Sequence, residues 1–212
     1  MWCCLVGSEM CIRDRTGTSR PPRSTKSQRA TFKNRFHQGK NKAMDAEQLR
    51  ARQAPIKKRF RETPALAQRV LQASGILTPE STTCEVETFL GSTPAGLHTY
   101  TGGDGTEACA AEMLLEALIG CAGVTFSVVS KVMEIPFDSV VIRAEGHLDF
   151  RGTLGVERDA AVGYGRIKLI FEIATEADEE QLAKLVELTD RYCVVFQSLK
   201  SMEPSQFVKT DA

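Results

Sequence analysis

A chain of 212 residues with 42% apolar content is long enough to bury one hydrophobic core, and nothing in it demands a second domain. Lys and Arg number 27, as do Asp and Glu, so the whole chain is formally neutral. Its seven cysteines include no CxxC pair and follow no convincing signal peptide, which disfavours a disulfide framework and a zinc site. We therefore expect free thiols in a reducing compartment, the cytoplasm, and no metal or cofactor.

The neutral total conceals a charge difference along the chain. Residues 1–43 contain ten Lys and Arg against two acidic residues, a net charge of +8 that leaves −8 for the rest. Such an arm is typical of nucleic-acid binding or of a targeting peptide. However, the stretch LVGSEMCIRDR resembles translated sequencing-adapter sequence, and residues 16–43 are too polar to form a core. We expect residues 1–43 to be a disordered, dispensable tail of non-coding origin, with the protein itself starting at Met44.

Residues 44–80 are predicted to form an N-terminal helical segment. The composition predicts a short helix, a basic linker or strand and a second helix, in the order Asp45–Gln53, Ile56–Arg61 and Thr63–Ser74. Pro55 ends the first helix in this interpretation, and Pro64 and Gly75 bracket the second. A basic run of this size is most often a solvated face.

The centre of the chain is predicted to be a long helix, Thr106–Glu134, with Cys121 near its middle. Asp104 or Thr106 can cap its first N–H groups, and Pro136 stops it. The helix is apolar or small on nearly every side, so it should be buried, while its charged residues argue against a membrane span. A free cysteine in such a helix is usually a small apolar filler.

Two pairs of strands are predicted around this helix. Before it, Thr82–Leu90 alternates and Leu97–Thr101 is the candidate hairpin partner. After it, Ser139–Asp149 and Tyr164–Ala174 alternate cleanly between an apolar and a polar face. Strands of this kind suit an antiparallel sheet covered on one side by helices.

A second, amphipathic helix follows the last of these strands and leads to Cys193. Asp178 and Gln181 form a loose capping box at its start, and apolar residues then recur at helical spacing. Cys84 and Cys109 fall on a strand and in a first helical turn, where a structural role is the simplest interpretation.

Three pieces of the chain resemble the OsmC/Ohr family of thiol-dependent hydroperoxide reductases, over about residues 81–202. They are EMLLEALIGC ending at Cys121, GHLDFRGTLGVERDAAVGYGRIKLIFEI, and DRYCVVFQSL around Cys193. The resemblance implies an α+β fold in which antiparallel sheets wrap long central helices in an intertwined homodimer, with residues 81–212 as the OsmC-like domain. Such a dimer would explain a helix that is apolar on nearly all sides, because the second subunit covers what one chain cannot.

The resemblance also implies a peroxidase cycle with Cys121, Cys193 and Glu112 as catalytic residues. The Cys121 thiolate would attack an organic hydroperoxide, and Cys193 would condense with the resulting sulfenic acid to give a disulfide. An external dithiol, of the lipoyl type or similar, would reduce that disulfide. The protein would then be an antioxidant oxidoreductase that acts in oxidative stress. It would bind neither nucleic acid nor a membrane.

The chain departs from the family pattern beside the first cysteine. The family carboxylate lies ten residues before it, where this chain has Ala111, so Glu112 is the nearest match. No arginine lies between Arg69 and Arg143. The candidates for the family arginine are Arg59, Arg61, Arg69 and His98. Two other functions therefore stay open, a non-catalytic OsmC-like protein that binds a small ligand and a disulfide-based redox sensor.

Overall fold

The computed structural model describes residues 44–199 and 203–211, in which seven strands form one sheet of four and one sheet of three. Long helices pack on the smaller sheet, so the predicted α+β class is confirmed. The predicted disordered tail, residues 1–43, lies outside the described residues.

The first helix, α1, spans Ala46–Glu62 and is capped by the Asp45 side chain, which accepts a hydrogen bond of 2.7 Å from the Gln48 backbone N–H. The predicted break at Pro55 is wrong, since Pro55 lies inside α1 and the predicted basic linker is helical. A proline inside a helix removes one backbone hydrogen bond. Here the surrounding Ala, Arg, Lys and Gln residues are strong helix formers, and exposure lets water satisfy the freed carbonyl.

The second predicted helix of this segment is also wrong. Pro64–Ala67 forms only a short 3-10 turn, and residues 68–73 are neither helix nor strand. Strand β1 follows at Ser74–Leu77 and pairs antiparallel with β2, Cys84–Thr88. Pairing with a strand that lies further along the chain therefore overrides the local proline and glycine signals for a helix.

The larger sheet has the strand order β1–β2–β3–β4, with β3 at Gly91–Gly96 and β4 at Ala108–Cys109. Strand β2 confirms the prediction for Thr82–Leu90, but Leu97–Thr101 is not its partner. The partner is β3, because Gly91 takes a φ of 131° and closes a two-residue turn at Phe89 and Leu90.

The smaller sheet has the order β5–β6–β7, with β5 at Ser139–His147, β6 at Arg166–Ala174 and β7 at Gln206–Thr210. Strands β5 and β6 are antiparallel, as the alternation predicts. Strand β7, which was not predicted, pairs parallel to β6. The residues of β6 predicted to face inward are all buried: Ile167, Leu169, Phe171 and Ile173.

Two long helices cover this sheet. Helix α2 spans Ala110–Met133 and α4 spans Glu179–Tyr192, which starts with the predicted Asp178 and Gln181 capping box. Helix α2 begins later than predicted because β4 occupies the preceding residues, and Asp104 instead accepts hydrogen bonds from Thr106 within the turn. Two short helices complete the fold, α3 at Phe150–Thr153 and α5 at Val194–Ser198.

Within a single chain, α2 buries only one side. Leu118, Ala122 and Phe126 lie in the core, where the Phe126 ring stacks on Phe171 with a centroid distance of 5.3 Å. On the other side, Val124 is 69% and Val132 is 49% exposed. By length and composition α2 would also qualify as a membrane span, a test that core helices of globular proteins pass as well.

Helix α2 ends at Glu134, which is the one non-glycine residue with positive φ, 58°, in the described ranges. This left-handed conformation costs a residue with a Cβ about 1 kcal/mol relative to glycine. The Glu134 carboxylate accepts a hydrogen bond of 2.9 Å from Arg50, and such exposed pairs contribute about 0.5 kcal/mol.

We therefore expect Glu134→Gly to raise the melting temperature by about 1–3 °C, since relief of strain outweighs the lost ion pair. Arg50→Ala is the matched control, because it removes the pair and keeps the strain, and it should give no rise. A fall in melting temperature for Glu134→Gly in differential scanning calorimetry would contradict this account.

Candidate functional site

The structure brings Cys121 and Cys193 together, although 72 residues separate them in the sequence. Cys193 is the residue between α4 and α5, the C-cap of the first and the N-cap of the second. Both helices pack against α2, which carries Cys121. The two side chains lie close enough for each to shift the pKa of the other, and both thiols are free.

The two sulfurs differ in access to solvent. Cys193 has no exposed surface and belongs to the core, whereas Cys121 is half-buried at its edge. A reagent from solvent can therefore reach the Cys121 sulfur first.

Their acidities differ in the same direction. Burial by itself raises the pKa of the Cys121 thiol, but four donors outweigh that cost and the net pKa is lowered. The donors are the backbone N–H groups of Val195 and Val194, the Cys193 thiol and the Thr125 hydroxyl. Hydrogen bonds of this kind stabilise the thiolate more than the thiol, so Cys121 is the better nucleophile of the pair.

Cys193 has the opposite character. Burial is the main cause that raises its pKa to about 11, and the hydrogen bond and the charge of a Cys121 thiolate raise it further. Backbone N–H groups of Phe196 and Val195 offset only part of this shift. At neutral pH the pair therefore consists of an S–H donor, Cys193, and an acceptor sulfur, Cys121.

The segment after Cys193 is fixed by Asp190, one turn earlier on α4. The Asp190 carboxylate accepts hydrogen bonds from the Ser205 hydroxyl and, at 2.9 Å, from the Ser205 backbone N–H. The Asp190 carbonyl accepts one of 2.9 Å from the Gln197 side chain on α5. Burial raises the pKa of Asp190, and the Ser205 hydrogen bonds offset part of the rise. These contacts connect α4, α5 and the segment before β7.

Glu112, the third predicted catalytic residue, does not join the cysteines within one chain. It lies exposed in the first turn of α2, nine residues before Cys121. Nine residues correspond to about 13 Å along the helix axis and to two and a half turns, so the two side chains leave opposite faces of α2. Its neighbour is Tyr164, whose pKa is raised by burial and then by the charges of Cys109 and Glu112.

None of the four candidate cations is among the groups that shift the pKa of Cys121 in the described part of the chain. Arg59 and Arg61 lie exposed in the last turn of α1, and Arg69 lies exposed between the 3-10 turn and β1. The His98 ring stacks on Phe150 with a centroid distance of 4.8 Å. In a single chain, uncharged donors lower the pKa of Cys121 instead of an arginine.

Sequence reasoning missed these donors. The Thr125 hydroxyl, four residues after Cys121, donates its single proton to the Cys121 carbonyl at 2.9 Å and can turn it to the sulfur when the thiolate forms. Its i+4 spacing could have predicted that Thr125 lies beside Cys121 on the helix surface. The role of the Val194 and Val195 N–H groups as donors could not be predicted from the sequence, because it depends on α5 starting directly after Cys193.

Comparison with known proteins identifies the domain. Residues 103–205 match the family described as OsmC-like protein. The chain carries an OsmC-like domain. The matched range contains α2, the β5 and β6 strands and both cysteines, which confirms the resemblance drawn from the sequence.

Solved structures share the fold of the OsmC-like domain at low identity. An OsmC-like protein from Mycoplasma pneumoniae is 13% identical with a TM-score of 0.54, over 68% of this chain and 99% of that chain. An organic hydroperoxide resistance protein from Elizabethkingia anophelis is 13% identical with a TM-score of 0.53, over the same shares. The organic hydroperoxide resistance protein OsmC from Legionella pneumophila is 12% identical with a TM-score of 0.51, over 68% and 100%. No curated protein matches this sequence.

The acidities predict selective alkylation of the pair. With limiting iodoacetamide, Cys121 should react first, and its rate should reach half-maximum at a lower pH than that of the same cysteine in the unfolded chain, because its pKa is lowered. Cys193 should stay unmodified in the pH range where Cys121 reacts, because it is buried and burial raises its pKa. The readout is peptide mass spectrometry across a pH series.

Thr125→Val removes one donor from the Cys121 sulfur, so its alkylation curve should move to higher pH. Thr125→Ser is the matched control, because it keeps the hydroxyl and should keep the curve. If Cys193 reacts before Cys121 in the folded protein, the assignment of the two thiols is wrong.

Proposed function

We propose that the protein is a thiol-dependent peroxidase that reduces organic hydroperoxides through Cys121 and Cys193. The observation that carries this proposal is the pairing of an accessible thiol of lowered pKa with a buried thiol of raised pKa. The OsmC-like domain supports a redox role, and two of the structures that share its fold are described as organic hydroperoxide resistance proteins.

In the first step, the Cys121 thiolate attacks the distal oxygen of the hydroperoxide. The O–O bond breaks, an S–O bond forms, and the departing alkoxide takes a proton and leaves as an alcohol. The sulfur is oxidised to sulfenic acid and the peroxide is reduced by two electrons.

In the second step, Cys193 attacks the sulfenic sulfur, a disulfide forms and water leaves. Its high pKa does not block this step, since part of the shift comes from the charge and hydrogen bond of the Cys121 thiolate. The sulfenic acid that replaces the thiolate is neutral, so that part disappears while the N–H donors of α5 remain. An external dithiol of the lipoyl type then reduces the disulfide, which fits a cytoplasmic enzyme.

We also propose the intertwined homodimer that the family resemblance implies. Every residue from Arg61 to Thr82 is exposed in the single chain, including the strand β1. At the β2–β3 turn, Phe89 is 102% and Leu90 is 92% exposed, and Val124 is bare on α2. Apolar exposure on this scale is typical of a surface that another chain covers.

The catalytic role proposed for Glu112 depends on the dimer. Because Glu112 leaves the opposite face of α2 from Cys121 in its own chain, a catalytic role for this carboxylate requires the second copy. The same holds for a cation from α1 or from the segment that carries Arg69.

The second candidate function is a non-catalytic OsmC-like protein that binds a small ligand. It is favoured by one observation, namely that the described residues place no cation beside Cys121 in the single chain. A redox sensor would form the same disulfide without turnover. Peroxide consumption coupled to a dithiol separates the enzyme from both alternatives.

The peroxidase proposal predicts different outcomes for the two cysteines. Cys121→Ser should abolish turnover of an organic hydroperoxide with dihydrolipoamide, because it removes the nucleophile. Cys193→Ser should leave the first attack intact and trap Cys121 as a sulfenic acid, open to further oxidation. Mass spectrometry after one equivalent of hydroperoxide reads out both products.

Cys84→Ser and Cys109→Ser are the matched controls and should keep most of the activity, since neither thiol contacts the pair. If the native protein forms no Cys121–Cys193 disulfide and Cys193→Ser gains no oxygen on Cys121, the ligand-binding alternative replaces the peroxidase.

The proposed dimer predicts that light scattering finds twice the chain mass at micromolar protein. Val124→Asp should shift the mass toward one chain, because it places a charge on the exposed side of α2 that the second chain would cover. Val156→Asp adds the same charge at another exposed valine, outside α2, and should stay dimeric. A native protein that is monomeric under these conditions would contradict the dimer.

A further inference from the structure

Helix α1 lies before the matched family range and carries an excess of positive charge. Within Ala46–Glu62 there are two acidic residues, Glu47 and Glu62, and six basic ones: Arg50, Arg52, Lys57, Lys58, Arg59 and Arg61. In the described part of the chain, the ion pairs of α1 are Arg50 with Glu134 at 2.9 Å and Lys58 with Glu62 at 3.9 Å. Four cations of α1 therefore have no anionic partner in those ranges.

The helix is anchored to its own chain only at its first turns. Leu49 is its buried residue, Arg50 contacts Glu134, and Ala46 lines a shallow cavity with Pro136. After Gln53 every residue of α1 except Phe60 is exposed. The C-terminal half of α1 is thus a helix with no core of its own to pack against.

The exposed half of α1 has an apolar stripe flanked by basic residues. At 100° per residue, Ile56 and Phe60 continue the stripe that begins at the buried Leu49. The cations of α1 flank this stripe on both sides: Arg52 and Arg59 on one, Lys57 and Arg61 on the other. Ile56 is 45% exposed, so the face offers a narrow apolar strip between two basic margins.

The part of the chain that follows α1 has the complementary charge. Residues 63–212 contain 22 acidic against 11 basic residues, a net charge of −11. Exposed acidic residues concentrate where β6 leads into α4, and none of them makes an ion pair in the described ranges: Glu176, Asp178, Glu179 and Glu180. A nucleic acid or an anionic membrane would meet repulsion from this domain, whereas a second copy of the chain offers both exposed acidic and exposed apolar residues.

We propose that the exposed half of α1, residues 52–62, docks on the acidic surface of a second copy of this chain. The inference rests on the proposed dimer and adds a contact outside the OsmC-like domain. Charge attraction sets the orientation of α1, and Ile56 and Phe60 bury against apolar surface of the partner.

The test is zero-length carbodiimide cross-linking of the full chain, in an equal mixture of ¹⁵N-labelled and unlabelled protein. This reagent joins a lysine to a carboxylate only at ion-pair distance. Peptides that link Lys57 to an acidic residue within 63–212 should carry one labelled and one unlabelled half. These mixed links should be strong at about 0.05 M salt and fall several-fold at about 0.5 M, where the Debye length is only a few ångströms.

Arg52→Glu with Arg61→Glu reverses one charge on each margin and retains Lys57, which lies on a margin itself, as the reporter. Mixed links from Lys57 should fall several-fold in this variant. The Lys58–Glu62 link within α1 and the Lys184–Glu187 link within α4 are internal controls that should persist.

Light scattering on the same samples separates this inference from the dimer itself. A protein that stays dimeric but gives no mixed links from α1 overturns the docking and leaves the dimer. A monomer overturns both. Links that are insensitive to salt and to charge reversal, or that are lost when RNA or vesicles of anionic lipid are added, also overturn the docking.

Discussion

The site depends on one contact, the packing of the α4–α5 junction against the middle of α2. This contact places the N–H groups of Val194 and Val195 and the thiol of Cys193 around the Cys121 sulfur. An isolated half-buried cysteine would be a weaker acid than one in water, because burial disfavours the thiolate. Neutral donors at the junction outweigh the effect of burial and lower the pKa of Cys121. Its acidity therefore depends on tertiary packing rather than on a charged neighbour.

The same contact gives the two thiols different burial and opposite pKa shifts. Cys193 shares the N–H donors of α5 but lies fully in the core, so its burial cost dominates. The Asp190 contacts with Ser205 and Gln197 hold the junction in register, which keeps one sulfur at the edge of the core and the other inside it. Helix α2 ends 73 residues before β7 begins, and the two are brought into one arrangement by packing with the smaller sheet.

The sequence was most informative where structure follows from local periodicity. The alternation of β5 and β6 and the capping box of α4 predicted their elements closely, because each pattern lies within one element. It failed for β1, β3 and β4, whose existence depends on pairing between strands, and at Pro55, where exposure makes a proline tolerable. Of the predicted site, the two cysteines were predicted from a family resemblance, whereas Glu112 lay at a spacing that helical geometry already places on the far face of α2.

The pKa asymmetry also bears on the choice between enzyme and binding protein. A protein that only binds a small apolar ligand needs an accessible cleft, but it gains nothing from hydrogen bonds that stabilise a thiolate at its edge. Val194 and Val195 open α5, so their N–H groups have no carbonyl partner within the helix and are available to the sulfur. N–H donors to one sulfur, beside a second thiol that stays protonated, are expected for a nucleophile with a resolving partner. The proposed peroxidase activity therefore accounts for the donors Val194, Val195 and Thr125 around the Cys121 sulfur. The ligand-binding alternative does not account for them.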